Sequence, residues 1–355
     1  MPFSSLDEVI WPLLPHGRLE VEGMRQSLLE RCEAQVRNEA ALRKVSKLEF
    51  ETTMKLCAML YADAGAEVDP DRIKECKGIL KQRAGVLSNF RGNFERVILV
   101  KMALASDPAA YIDGVIGVYE KLRSGRKLPG EMLAMASTTI YENCPAGELD
   151  EVIEKTLESY AAIKAQHPVL TDDSDMPIIA LMVMAGKDPS EAADQAEELF
   201  TALRDRFRVG SDAAQTTAMV MALSDKPADQ KVEDYVALFE ACKAAGHATS
   251  KDRAMAIYAA YADLDADLAE IVAEIGEVDE WLKGNKGYGA LGVGASMRRL
   301  FAATLVLQDR QAGSLAASAG TTSAVAQAVV EQLLLILIML LIMMIIVSST
   351  VAASH

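Results

Sequence analysis

His167 stands shortly before three carboxylates, Asp172, Asp173 and Asp175, in the stretch AQHPVLTDDSDMP. An imidazole among carboxylates is the pairing from which proton relays and divalent-metal sites are built. This segment holds only one histidine, and its Asp, Ser and Pro are also the ordinary residues of turns and helix N-caps. His167, Asp172, Asp173 and Asp175 are therefore carried as weak candidate metal ligands, beside the plainer reading of an inter-helix connection.

A second acidic stretch, DLDADLAEIVAE at Asp263–Glu274, places acids where a calcium loop has its first, third, fifth and twelfth ligands. The sixth place is Leu268, where the sharp turn of such a loop requires glycine, and the eighth is Glu270 instead of an aliphatic residue. Leu264, Leu268, Ile271, Ile275 and Val278 recur at helical spacing, so the segment is expected to be an acidic helix. The glycines of KGNKGYGALGVGAS, Lys283–Ser296, match dinucleotide-loop spacings only by chance, because no strand precedes them. P-loop, G-x-S-x-G, H-E-x-x-H and C-x-x-C patterns are all absent. His16, His167, His247 and His355 are widely dispersed in the chain. These observations assign no catalytic residue and no cofactor, and the expectation is a protein that is not an enzyme.

The elements that would position any site are helices. Hydrophobic residues make up 51% of the chain and aromatics only 5%. Such a mix of Ala, Leu and Met suits helices better than strands, which favour aromatic and β-branched residues. The net charge of −15 argues against nucleic-acid binding, which needs clustered Lys and Arg, and against docking of the body on an anionic membrane. Cys32, Cys57, Cys76, Cys144 and Cys242 are odd in number and unpaired in spacing, as expected of buried thiols in a reducing compartment. The start, MPFSSLDEVIWPLLPHG, has neither a basic n-region nor a long apolar core, so no signal peptide is expected.

An internal repeat runs through the body. ILKQR, YEKLR, YAAIK, FTALR, FEACK and DEWLK end in Arg83, Arg123, Lys164, Arg204, Lys243 and Lys283, at intervals of 40, 41, 40, 39 and 40 residues. A terminal base complements the negative end of a helix dipole. After each base comes a loop-like stretch and then a second apolar helix, as in SDMPIIALMVMA and SDAAQTTAMVMAL. Polar links such as SDPAA and KDPSEAAD lead to the next unit. The expected fold is all-α, an α-solenoid-like stack of about six helix pairs of roughly 40 residues. The parts are a lead-in over 1–45, a repeat body over 46–310 and a C-terminal segment over 311–355.

That last segment has a different character. Leu333–Val347 reads LLLILIMLLIMMIIV, and after Arg310 the only charged side chain is Glu331. As a helix the run spans roughly 22 Å, short of a bilayer core of about 30 Å. Ser348–Ala353 would extend it to a tolerable span. A helix apolar all round is buried in lipid or in protein. Ala316, Gly320, Ala324 and Ala328 recur every four residues, a spacing that lets helices approach closely. The expectation is one long helix over about 321–353 that associates with copies of itself. Ala316, Gly320, Ala324 and Ala328 would form its close-packing face, and Leu333, Leu337, Ile338, Leu341 and Ile345 its buried face. Lipid and a protein bundle both stay open as the destination of that face.

Four phrases carry a resemblance: LSNFRGNFERVILVKMAL at Leu87–Leu104, HPVLTDDSDMPIIALM at His167–Met182, YGALG at Tyr288–Gly292 and MRRLFAATLVLQD at Met297–Asp309. Over about residues 45–307 the chain resembles the bacterial family catalogued as domain of unknown function 4003. The resemblance implies an all-helical bacterial protein and transfers no catalytic residue. The run Leu333–Val347 lies outside the phrases that carry it.

The reading is a scaffold or interaction protein without enzymatic activity. Its partners would be itself through the C-terminal helix, a protein on the helical surface, and a membrane if the tail inserts; nucleic acid is not among them. The expected location is the cytoplasm, with attachment to the cytoplasmic face of a membrane left open. The alternative is a metal-binding protein or enzyme using the loop His167–Asp175.

Overall fold

The computed structural model describes residues 24–45, 51–124, 130–144, 147–207, 210–224, 226–249, 256–261, 264 and 266–317. Among them every regular element is helical and there is no strand. The helices are α1 (Gln26–Val45), α2 (Glu51–Asp63), α3 (Pro70–Arg83), α4 (Glu95–Leu104), α5 (Pro108–Leu122), α6 (Glu131–Asn143) and α7 (Leu149–Gln166). They continue as α8 (Met176–Met184), α9 (Pro189–Arg206), α10 (Ser211–Ala222), α11 (Ala228–Ala244), α12 (Leu268–Lys283) and α13 (Gly294–Ala317). A short helical turn at 256–259 follows α11.

Local chemistry explains where the helices begin. Asp69, Asp107 and Asp188 each accept two backbone N–H bonds from the first turn of α3, α5 and α9, and each precedes a proline at the first helical position. Proline's missing N–H costs nothing there, and the carboxylate satisfies donors that have no partner within the helix. Asp267 caps α12 in the same way, through Ala269 N. Gly65, at φ +60°, takes the left-handed turn that ends α2.

The helices alternate in burial. α3, α5, α7, α9, α11 and α12 bury one stripe and expose the other. Their partners are enclosed: α8 is buried from Met176 to Val183 and α6 from Met132 to Ile140. Each buried Leu, Ile or Met is worth ~1.5–3 kcal/mol, so the enclosed helices hold most of the apolar core. Successive outer helices pack side by side, and among the inner ones α2 packs on α4 and α6 on α8, which meets α10.

The C-terminal end of one outer helix meets the first half of the next. Arg83 Nε meets Asp113 at 2.8 Å, Gln166 Nε2 donates to Asp194 at 3.1 Å, and Arg206 Nη1 meets Glu233 at 3.4 Å. Lys121 pairs with Asp150 in the same manner. The step repeats from α12 to α1, where Tyr288, just past α12, accepts a bond from Gln35 Nε2 at 3.1 Å.

The two ends of the described chain thereby share an interface. α1 packs on α13 as well as on α3. Arg25 meets Glu274 at 2.6 Å and Asp309 at 2.7 Å, and Arg310 meets Glu274 at 2.6 Å. Lys55, with no exposed surface, bonds Glu39 at 2.6 Å and lies 3.9 Å over the ring of Tyr288. A stack with free ends has no such seam; here the succession of helices closes on itself.

Candidate functional site

Among the described residues, connections from an outer helix to its inner partner are laced together at one end of the succession. Asn89 Nδ2 donates to Gly130 O at 3.2 Å, and Gly130 N donates to Asp173 Oδ2 at 2.8 Å. Glu131 accepts from Asn93 N at 2.9 Å. Thr249 Oγ1 donates to Ser296 O at 3.1 Å, and Arg299 Nη1 donates to Ala248 O at 2.6 Å. We call this the loop end.

The loop His167–Asp175 is the central part of the belt, and its four candidate residues point to different partners. His167 is partly buried, pairs with Glu197 on α9 and meets the ring of Phe200 at a tilt, with ring centroids 4.6 Å apart. Asp172 accepts from Ser174 N at 2.7 Å, while Asp173 is held by Gly130 N. Asp175 is 4% exposed and accepts from Asp172 N at 3.0 Å and from Gln215 Nε2 at 3.2 Å. Gln215 Nε2 also donates to Thr171 Oγ1 at 3.2 Å, and Lys164 Nζ donates to Thr171 O at 2.9 Å. Among the described residues no three His, Cys, Asp or Glu side chains stand together as a metal site.

Asp175 is the chemically distinctive member. Burial pushes its carboxyl from 3.8 up to about 7, against the two hydrogen bonds that favour the anion. Gln215 Oε1 is buried without a partner. Turned end for end, that amide would offer an acceptor where a protonated Asp175 has a donor. The sequence offered the residue, as a weak ligand, but not this pairing, because Gln215 lies on another helix pair.

Among the described residues, the most exposed aliphatic side chains are also at the loop end. Leu87 is 98% exposed, Val169 91%, Val86 77%, and Leu291 wholly so. They sit on the connections after α3, α7 and α12. Sequence reasoning did not single them out, since one Leu in a loop is unremarkable until its exposure and its neighbours' placement are known.

The other singled-out stretches settle into structural roles. Asp267 is a helix cap, and Glu274 is bound by Arg25 and Arg310. The glycine-rich connection after α12 is a turn: Gly287 and Gly294 have φ of 86° and 76°, and a side chain at Gly292 would overlap the Gly287 carbonyl. All five cysteines are buried and none forms a disulfide among the described residues, with Cys32 and Cys57 raised to about 12 by burial. Among the described residues no helix is long and apolar enough to cross a membrane. Ala316 lies in the last turn of α13. Gly320, Ala324, Ala328, Leu333, Leu337, Ile338, Leu341 and Ile345, and the expected helix over 321–353, lie outside the described residues.

No curated protein and no solved structure matches the chain. One family model does, over residues 40–344. The match reaches further than the four phrases in the sequence, and it takes in the apolar run as far as Met344. With most of its length so matched, the chain belongs to the family described as Protein of unknown function (DUF4003).

Proposed function

We propose that this protein is a non-enzymatic scaffold with two working ends. Its body would be a run of helix pairs of roughly 40 residues, related as repeats. Its loop end would dock a partner, and its C-terminal segment would form a long apolar helix that drives homo-oligomer assembly, membrane anchoring or both. The observation that carries the reading is the exposure of aliphatic side chains on the connections after α3, α7 and α12: Leu87, Val169 and Leu291 project from the loop end. Exposed aliphatic side chains mark interaction surfaces. The sequence adds a second apolar feature beyond α13, the run Leu333–Val347, and a helical body carrying both suits a scaffold.

The test is the mass of the full chain by light scattering, in buffer and in detergent, beside a variant carrying Ile338→Glu, Leu341→Glu and Ile345→Glu. The full chain is expected to be oligomeric or detergent-associated, and the variant monomeric. A full chain that is monomeric in both solvents, with a variant that behaves identically, overturns the reading.

A second reading places acid–base or metal chemistry at His167–Asp175. What favours it is the carboxyl of Asp175 near neutrality, the poise a general acid or base needs. Stoichiometric metal on the purified protein, lost on His167→Ala with Asp175→Ala, would put it first.

A further inference from the structure

Away from the belt, the protein holds a cleft that plays no part in the scaffold role. It lies where α4 gives way to α5 and α6 to α7, and has a volume of about 480 Å³. Leu104, Ala105, Tyr141 and Leu149 wall it, and Lys101, Tyr111, Glu142 and Cys144 complete its lining. Small-molecule sites are commonly concavities of ~300–1,000 Å³ with apolar walls and a few convergent polar groups.

The polar groups come from three helices. Lys101 Nζ, on α4, meets Glu142 Oε2, on α6, at 2.8 Å, and Tyr111, on α5, donates its hydroxyl to Glu142 Oε1 at 2.7 Å. A surface pair such as Lys155–Glu151 is open to water on both sides, with side chains 49% and 64% exposed. In Lys101–Glu142 they are 17% and 16% exposed. Enclosing two charges costs desolvation that their attraction only partly returns, so such a pair is a poor device for stability alone. Among the described residues the Lys101 ammonium has Glu142 as its only partner, and an ammonium carries three donors. The Tyr141 ring, which lies against Gly114 and edge-on to Tyr111 with centroids 5.7 Å apart, fixes the wall beside the pair.

The two charges on this wall decide what fits. A bound anion would meet Lys101 but lie beside the Glu142 carboxylate. A bound cation would meet Glu142 but lie beside the Lys101 ammonium. Like charges so close repel. Cys144, on the same wall, is raised to about 11 by burial and by Glu148 and Glu151, so further acids stand near and oppose a lone anion. A molecule that carries both charges side by side meets each with its opposite. We propose that the cleft binds a free α-amino acid with an apolar side chain, its carboxylate on Lys101, its ammonium on Glu142 and its side chain against Leu104, Tyr141 and Leu149. The site shares no residue with the loop end or with the C-terminal run, and it does not rest on the role given to either.

The experiment is calorimetric titration of the full chain with L-leucine and with L-phenylalanine. Saturable binding at one site is expected for at least one of them. Isocaproate and hydrocinnamate, which lack the ammonium, and isoamylamine and phenethylamine, which lack the carboxylate, are expected to bind about tenfold or more weaker. Ala105→Trp fills the cleft without removing the ion pair, and is expected to abolish binding while the far-UV circular dichroism stays unchanged. Lys101→Met is expected to weaken binding about tenfold or more. Absence of saturable binding by either amino acid overturns the proposal. So does a singly charged analogue that binds as tightly as its parent amino acid, or an Ala105→Trp chain that folds and still binds. Where Ala105→Trp does not fold, Lys101→Met decides the location, and an unchanged affinity there overturns the assignment.

Discussion

Replacing Asp175 by Asn should stabilise the protein, and should do so only at pH values where the unfolded chain ionises this carboxyl, above about 4. The carboxyl is 4% exposed and no cation is bonded to it; its partners are Asp172 N and Gln215 Nε2. Its folded value is raised above the unfolded one, so the folded chain holds this proton more tightly than the unfolded chain does. Its contribution to stability is therefore greatest below about pH 4, falls as pH rises, and is flat above about 7. A gap from 3.8 to about 7 corresponds to roughly 4 kcal/mol at about 1.4 kcal/mol per unit. Asparagine keeps the acceptor for Asp172 N and Gln215 Nε2 and never ionises. Its N–H can also reach toward Gln215 Oε1. Urea unfolding of both proteins at pH 5, 6, 7 and 8 gives the difference directly. The variant should gain on the wild type across that range and level off above pH 7. A difference that does not change with pH, or a variant less stable at pH 8, would show that Asp175 stays ionised through a partner or solvent path not accounted for.

Other outcomes test the fold and its seam. Lys55→Met removes the ammonium between Glu39 and Tyr288; leaving a buried carboxylate short of a partner should cost about 3–5 kcal/mol in chemical denaturation. Ile179→Ala, in the enclosed helix α8, should cost about 2–5 kcal/mol and lower Tm, whereas Val169→Ala in the exposed loop should leave Tm unchanged. Asp188→Ala should cost about 1 kcal/mol by removing the cap of α9, and Asp188→Asn much less. Gly114→Ala should destabilise sharply, because a side chain there would overlap the Tyr141 ring that lies against α5; Gly117→Ala on the same helix has open space and should be neutral or better.

Much of the all-helical architecture was legible because it rests on local rules. A base at a helix end, an Asp-Pro at a helix start and a four-residue apolar spacing each act within a few residues, so each leaves a mark in the sequence. The calcium-loop and dinucleotide patterns were set aside on the same grounds, and Leu268 and Gly292 now sit in a helix and a turn. The seam was not legible. Arg25 and Glu274, or Gln35 and Tyr288, are ordinary residues far apart in the chain, and no short-range pattern announces their meeting. The environment of Asp175 was hidden for a related reason. Its raised carboxyl depends on how completely two neighbouring helix pairs exclude water, and Gln215 gives no sign in the sequence of being its partner.

The closed succession also limits how a family built this way can vary. An open array lengthens by duplicating a unit at either end, and nothing elsewhere must change. A ring has no such end. Adding or deleting one pair would alter the angle that every remaining pair subtends, and would separate Arg25 from Glu274 and Gln35 from Tyr288. Variation in length should therefore collect in the connections, above all at the loop end, while the number of pairs stays fixed. A circularly permuted body offers the matching experiment: a cut in one connection, with a linker from the end of α13 to the start of α1, would ask whether the contact of α1 with α13 is incidental or the joint on which closure depends.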